Sequence, residues 1–139
     1  WPARLQRLHG RLTSLLPANW QLWLDGGHNV GGARVLAEHI AQWSDQPLHL
    51  VIGMKRSKDC AAFLAPLLPH ATSVWAVAEP EQHAALDPDA IVAASGGVAR
   101  RGPTVAAALA EIARTVAPAR VLICGSLYLA GEVLKADAA

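Results

Sequence analysis

The chain has 139 residues, 53% of them hydrophobic and 17% charged, with a formal net charge of +1. This suits one globular domain, residues 1–139, with its own core. The absence of a basic run argues against nucleic acid as a partner, and no apolar stretch approaches the ~18 residues of a membrane span. The opening Trp1-Pro2-Ala3-Arg4 has no starting methionine and no signal-peptide pattern, so the chain reads as cut from something longer, or processed. Cys60 and Cys124 suggest neither a disulfide framework nor a zinc site, and a reducing cytoplasm is the expected compartment.

In chain order, residues 5–9 read as a short strand, antiparallel to the rest, and the segment up to residue 19 as a connector broken by Gly10 and Pro17. Residues 20–24 (Trp-Gln-Leu-Trp-Leu) read as a buried strand that stops at Asp25-Gly26-Gly27. Residues 30–44 carry Ala33, Leu36, Ala37 and Ile40 at helical spacing, which predicts a helix with one apolar face. A strand over 48–52 ends at Gly53, and a polar, basic loop follows over 54–58. Asp59 opens a helix that places Cys60, Leu64, Leu67 and Leu68 on one face, with Pro69 as its stop.

A third strand covers 74–78, and Asp87-Pro88-Asp89 starts a helix that ends at Gly96-Gly97. Residues 98–100 suggest a short strand. Pro103 or Thr104 then begins a helix with Val105, Ala108, Leu109, Ile112 and Val116 on one face. The last core strand covers 121–124, and the terminal helix 127–135. Strands alternating with helices through short loops predict an α/β, Rossmann-like three-layer domain. Its sheet is mostly parallel with about six strands, and helices cover both faces. Alanine content and doubly buried strands, or a face that packs against something else, account for the apolar excess.

Three strands end in polar or glycine-rich loops, at residues 25–29, 53–59 and 125–126. In a parallel sheet these loops project at one edge, where open α/β folds bind ligands, and helix amino termini there favour anionic groups. Asp25 is either a carboxylate for a ribose hydroxyl or cationic group, or a turn residue. His28 either touches a phosphate or polar substrate atom or is a loop residue, and Asn29 stands where a helix N-cap belongs. Lys55, Arg56 and Lys58 offer positive charge to an anionic substrate or simply solvate a loop. Ser126 either donates to a phosphate or caps the last helix, and Glu79 beside Pro80 reads as a turn. The chain has no Gly-Lys phosphate loop, no G-x-S-x-G elbow and no metal-ligand spacing among its six histidines. By itself it does not contain the parts for phosphoryl transfer.

Several segments together resemble the folylpolyglutamate synthase / dihydrofolate synthase family of the Mur ligase superfamily. They are Trp1-Pro2-Ala3-Arg4-Leu5-Gln6, Leu24-Asp25-Gly26-Gly27-His28-Asn29, Gly53-Met54 with Lys58-Asp59, and the run from Cys124 to Val133 that contains Gly125-Ser126-Leu127-Tyr128-Leu129. They fall in the family's order and correspond to its C-terminal domain alone. The resemblance implies an ATP- and Mg2+-dependent ligase that adds L-glutamate to dihydropteroate or folate through an acyl phosphate. The magnesium ligands and phosphate loop would lie in an N-terminal ATPase domain on which this domain packs.

Residue by residue, the resemblance makes Arg4 and Asp25 ATP-contacting positions and His28 a catalytic one. Lys58 and Ser126 become substrate-binding positions, and residues 1–19 a strand and connector from the interdomain hinge. It departs from the family at Ala3, Gly27 and Val30. A monomeric enzyme is expected, inactive as this isolated piece. The rival expectations are a Mur-type amino-acid ligase domain of peptidoglycan synthesis and a non-catalytic nucleotide- or partner-binding module.

Overall fold

The computed structural model describes residues 4–115 and 118–138. Its centre is two strands that the sequence makes apolar on both sides: β3 (Leu48–Ile52), buried at every position, and β6 (Arg120–Cys124), buried from Val121 onward. Such runs are stable only with helices on both faces. Around them lie β1 (Gln6–Leu8), β2 (Gln21–Leu24), β4 (Ser73–Ala76) and β5 (Arg100–Arg101). The sheet has six strands in the order β1-β2-β6-β3-β4-β5. All neighbours are parallel except β1, which runs antiparallel to β2 with Gln6 opposite Leu24. The direction of β1 decides the site: the chain enters the domain at the carboxyl edge of the parallel strands.

Helices α1 (Val30–Ile40), α2 (Cys60–Leu64) and α3 (Pro88–Ala94) cover one face. Helices α4 (Val105–Ile112) and α5 (Leu127–Ala138) cover the other. Strand alternation sorts the side chains: Leu22, Leu24, Val121 and Ile123 meet α4 and α5, whereas Leu50, Ile52, Leu122 and Cys124 meet α1 to α3. Each fully buried Leu or Ile here contributes about 1.5–3 kcal/mol of transfer free energy. This is the expected α/β, three-layer architecture with a mostly parallel sheet.

The differences from expectation have local causes. Helix α2 ends at Leu64 rather than running on to Pro69, because Pro66 has no N–H and its ring crowds the preceding turn. Pro69 sits inside a separate 3-10 turn, Leu68–His70. Helix α1 stops at Ile40 rather than Ser44: Gln42 and Trp43 donate to carbonyls three residues back, and the Trp43 ring packs 5.0 Å from that of Trp23. The short strand expected at 98–100 is β5, displaced to Arg100–Arg101, because the Ala99 N–H is taken by Ser95 Oγ. Val116, expected on the α4 face, lies outside the described residues.

Two features fix the ends of the fold. Gly125, at φ +115°, turns the chain out of β6 where a Cβ would overlap the Gly53 carbonyl, so the two central strands end in contact. Near the far end of α5, the Asp137 carboxylate accepts hydrogen bonds from the N–H groups of Gly10 (2.9 Å) and Leu12 (2.9 Å). Its carbonyl accepts one from Arg11 (2.8 Å), so the turn after β1 is tied to the last helix.

Candidate functional site

Strand β2 ends at Leu24, and the next residues turn to start α1. Asn29 caps that helix, its Oδ1 accepting from Gly32 N at 2.8 Å. The capping expectation for Asn29 holds. Between this turn, the first turns of α1 and the segment leading into β1 lies a cleft of about 380 Å3, within the range of ligand pockets. Arg4, Asp25, Gly27, His28, Val35 and His39 are among the residues lining it. Three residues far apart in sequence are therefore brought to one rim. Arg4 and Asp25 meet because β1 is antiparallel to β2, which sets the residues before Gln6 beside those after Leu24.

Their environments differ. Arg4 is exposed and forms no ion pair among the described residues. His28 is half-buried, and its Nδ1 is buried without a hydrogen-bond partner among the described residues. A buried polar atom left unpaired costs stability, and this one belongs to a residue that lines the cleft. Asp25 is only 8% exposed, and both its oxygens are engaged: Oδ1 accepts from Leu5 N and Oδ2 from Gly27 N, each at 2.8 Å. The carboxylate is thus partly the turn residue that the sequence also allowed.

Lys58 and Ser126 do not line this cleft. Ser126 is 1% exposed, and its Oγ accepts from Tyr128 N (3.1 Å) and Leu129 N (3.2 Å), so of its two readings the geometry carries the cap of α5. Lys58 is half-buried in the basic loop after β3, two strands away from β2. That loop is held by Arg56 N donating to the Ala84 carbonyl and Leu86 N to the Met54 carbonyl, both at 2.8 Å. Lys55 Nζ lies 5.6 Å from the centroid of the Tyr128 ring.

Glu79 is more than a plain turn. Burial pushes its carboxyl above the usual range, a hydrogen bond from Val105 N pulls it down, and Glu132 adds repulsion. His39 and Val35 were not singled out by sequence. The available signal was the helical period, since Gly31, Val35 and His39 follow one another at i+4 along a face of α1.

Some chemistry is excluded by the residues themselves. Burial, with Asp59 adjacent, raises the Cys60 thiol to about 11, and burial raises Cys124 as well, so neither supplies a thiolate at neutral pH. Among the described residues no group of three His, Cys, Asp or Glu side chains could hold a metal ion. No described helix is long and apolar enough to cross a membrane.

With this geometry in place, comparison with known proteins is direct. Residues 9–136 match the family described as dihydrofolate synthetase, C-terminal domain. The folylpolyglutamate synthase of Lacticaseibacillus casei is 32% identical over 133 residues, covering 96% of this chain and 29% of that protein. The bifunctional folylpolyglutamate synthase/dihydrofolate synthase of Yersinia pestis, solved with AMPPNP and a Mn ion, superposes with a TM-score of 0.79 at 24% identity, covering 98% of this chain and 31% of the other. The folylpolyglutamate synthase of Mycobacterium tuberculosis, solved with ADP and AMPPCP, gives a TM-score of 0.74 at 28% identity, covering 97% of this chain and 32% of the other. The chain thus spans about a third of the length of each of these proteins. On sequence and fold alike, it belongs to the dihydrofolate synthetase C-terminal domain family.

Proposed function

We propose that this chain is the C-terminal domain of an ATP- and magnesium-dependent ligase that adds L-glutamate to dihydropteroate and/or folate. The observation that carries this reading is the convergence of Arg4, Asp25 and His28 on one cleft at the carboxyl edge of the sheet. In such a reaction a substrate carboxylate oxygen attacks the terminal phosphorus of ATP, and ADP leaves. The glutamate amine then attacks the acyl phosphate carbon; the C–N bond forms, the C–O bond breaks, and phosphate departs. Catalysis of this kind rests on positioning and on stabilising phosphoryl charge.

The guanidinium of Arg4, in no ion pair among the described residues, suits a phosphate, since charge-assisted hydrogen bonds are the strong ones. His28, whose buried Nδ1 has no partner among the described residues, would bind or pass a proton at the reacting carboxylate or phosphate. Val35, 56% exposed, offers an apolar wall at the same cleft. Lys58 remains a candidate for an anionic substrate at the neighbouring loop. For Ser126 the reading is indirect, through its hold on the first turn of α5.

Magnesium does not fit this set of donors, because the described residues supply no cluster to ligate it. Its ligands are assigned to an N-terminal ATPase domain, and no step here runs through the ion. ATP itself fits better: the cleft offers a cation, a glycine-rich turn and a helix amino terminus. The Mycobacterium tuberculosis relative was solved with ADP and AMPPCP, which supports a nucleotide in the full-length enzyme. Two unpaired, buried thiols agree with a cytoplasmic setting.

The test is an assay of the full-length enzyme for ADP release that requires both a pterin-derived carboxylate and L-glutamate. Turnover is expected with dihydropteroate or folate and none with the isolated 139 residues. Turnover with UDP-linked peptide precursors in their place, or by these residues alone, would overturn the reading.

A further inference from the structure

We propose that Lys55 is a specificity-determining residue for the amino-acid substrate: its ammonium, held over the Tyr128 ring, pairs with the side-chain carboxylate of the incoming L-glutamate. This rests on the ligase reading given above and adds the group that selects a dicarboxylic amino acid. Residues 55–58 bring three cations, Lys55, Arg56 and Lys58, to the carboxyl end of β3, and none forms an ion pair among the described residues. Unpaired surface cations are ordinary. Lys55 differs because the fold holds it.

Its backbone bridges that of Ala85 in antiparallel fashion. The bonds on either side, Leu86 N to the Met54 carbonyl and Arg56 N to the Ala84 carbonyl, are both 2.8 Å. Ala84 takes φ +50°, which a residue with a Cβ seldom adopts and which persists only where its surroundings enforce it. Lys55 is half-buried, with Nζ 5.6 Å from the centroid of the Tyr128 ring, a cation–π distance. That exposed ring, in the first turn of α5, also meets the His83 ring edge-on at 4.8 Å. Gln82, one residue earlier and 7% exposed, accepts from Glu79 N through its Oε1 (3.1 Å), and its buried Nε2 has no partner among the described residues. The cluster thus presents donors and positive charge in a fixed frame, which suits a carboxylate. The acids on the same elements are otherwise placed: Glu132 is bridged to Lys135 at 2.9 Å, Glu79 receives the Val105 N–H, and Glu81 is exposed.

Strand β6 separates β2 from β3, so the loops that follow those two strands lie about 10 Å apart, two strand spacings. With an acyl phosphate at the rim of Arg4 and His28, an amino acid whose amine attacks there can extend its side chain toward the second loop. A held charge that meets a charged substrate rejects the neutral isostere, here L-glutamine.

The full-length enzyme tests this. Lys55→Met keeps the stem on Tyr128 and removes the charge. It should raise KM for L-glutamate by about 10–100-fold and lower the kcat/KM preference for L-glutamate over L-glutamine by a similar factor, with KM for ATP held within about twofold. Lys55→Arg keeps the charge and should retain that preference to within about threefold. Lys55→Glu reverses the charge and should turn the preference toward L-glutamine, so the proposal can still fail if Lys55→Met does not fold. An unchanged preference in folded Lys55→Met or Lys55→Glu enzyme overturns the proposal. So does a parallel rise in KM for ATP and for L-glutamate, the mark of a contact between domains. An unaltered enzyme that turns over neither amino acid would instead remove the ligase reading itself.

Discussion

The two ends of the sheet treat their charges in opposite ways. At the amino end, Arg120 is 15% exposed and fully occupied: it donates to Gln21 Oε1 (3.1 Å) and to both oxygens of Asp45 (2.7 and 3.3 Å), and lies 5.3 Å from the centroid of the Trp43 ring. At the carboxyl end, Arg4 has no carboxylate within reach among the described residues, and His28 Nδ1 has no partner there. Charge satisfied inside the fold works for stability. Charge left over is available to a ligand, and here it gathers at the edge where open α/β sheets bind theirs.

This contrast can be broken by experiment. The largest expected effect is at the open end: Arg4→Ala in the full-length enzyme should raise KM for ATP by about 10–100-fold, with the melting temperature moved by no more than about 1 °C. Steady-state ADP release and a thermal melt decide it, and a large loss of stability would place Arg4 with Arg120. At the closed end the pattern should invert. Arg120→Ala strips packing from Trp43 and leaves Gln21 Oε1 with Trp23 Nε1 in place of two donors, so denaturant unfolding should show about 1–3 kcal/mol less stability, with KM unchanged.

The third test concerns a buried group on neither rim. His49, 4% exposed in β3, stacks on Trp20 and meets Ser73 Oγ at 2.6 Å, while Trp75 Nε1 donates to that oxygen at 2.9 Å. Burial holds the imidazole below its ordinary 6.5. The neutral ring's contribution is therefore complete above 6.5 and declines as the pH falls from there through the folded value, where the unfolded chain takes up a proton the folded one resists. Unfolding free energy should fall between pH 6.5 and 5.5, and His49→Gln should flatten that slope. The smallest effect belongs to Asp45→Asn: the carboxylate is 63% exposed, so the urea midpoint should stay within error.

Much of the site could be read from the chain, for a physical reason. The stop from Trp-Leu into Asp25-Gly26-Gly27, followed by an N-cap at Asn29, is local information, and local information survives in sequence. The partners of Asp25 could not be read this way, because Leu5 is twenty residues upstream and meets it only once β1 has paired with β2. Arg4 became a candidate through family likeness alone. Ser126 left two uses open, and its Oγ is engaged as the cap of the first turn of α5. Pro66 was in plain view as a helix breaker, yet the apolar spacing of Leu64, Leu67 and Leu68 masked it. Glu79 shows the remaining difficulty: the groups that act on its carboxyl, Val105 N of α4 and Glu132 of α5, lie far along the chain.

The tether at Asp137 gives the molecule a mechanical character. Strand β1 starts at the cleft and runs to the opposite edge, while α5 starts beside the Gly125 turn and runs the same way, and the carboxylate joins them where both arrive. Any tug delivered through Arg4 and Leu5 by a neighbouring domain is then shared with the last helix instead of peeling the outer strand away. The three-residue edge strand β1 is braced at both ends, by one acid near each.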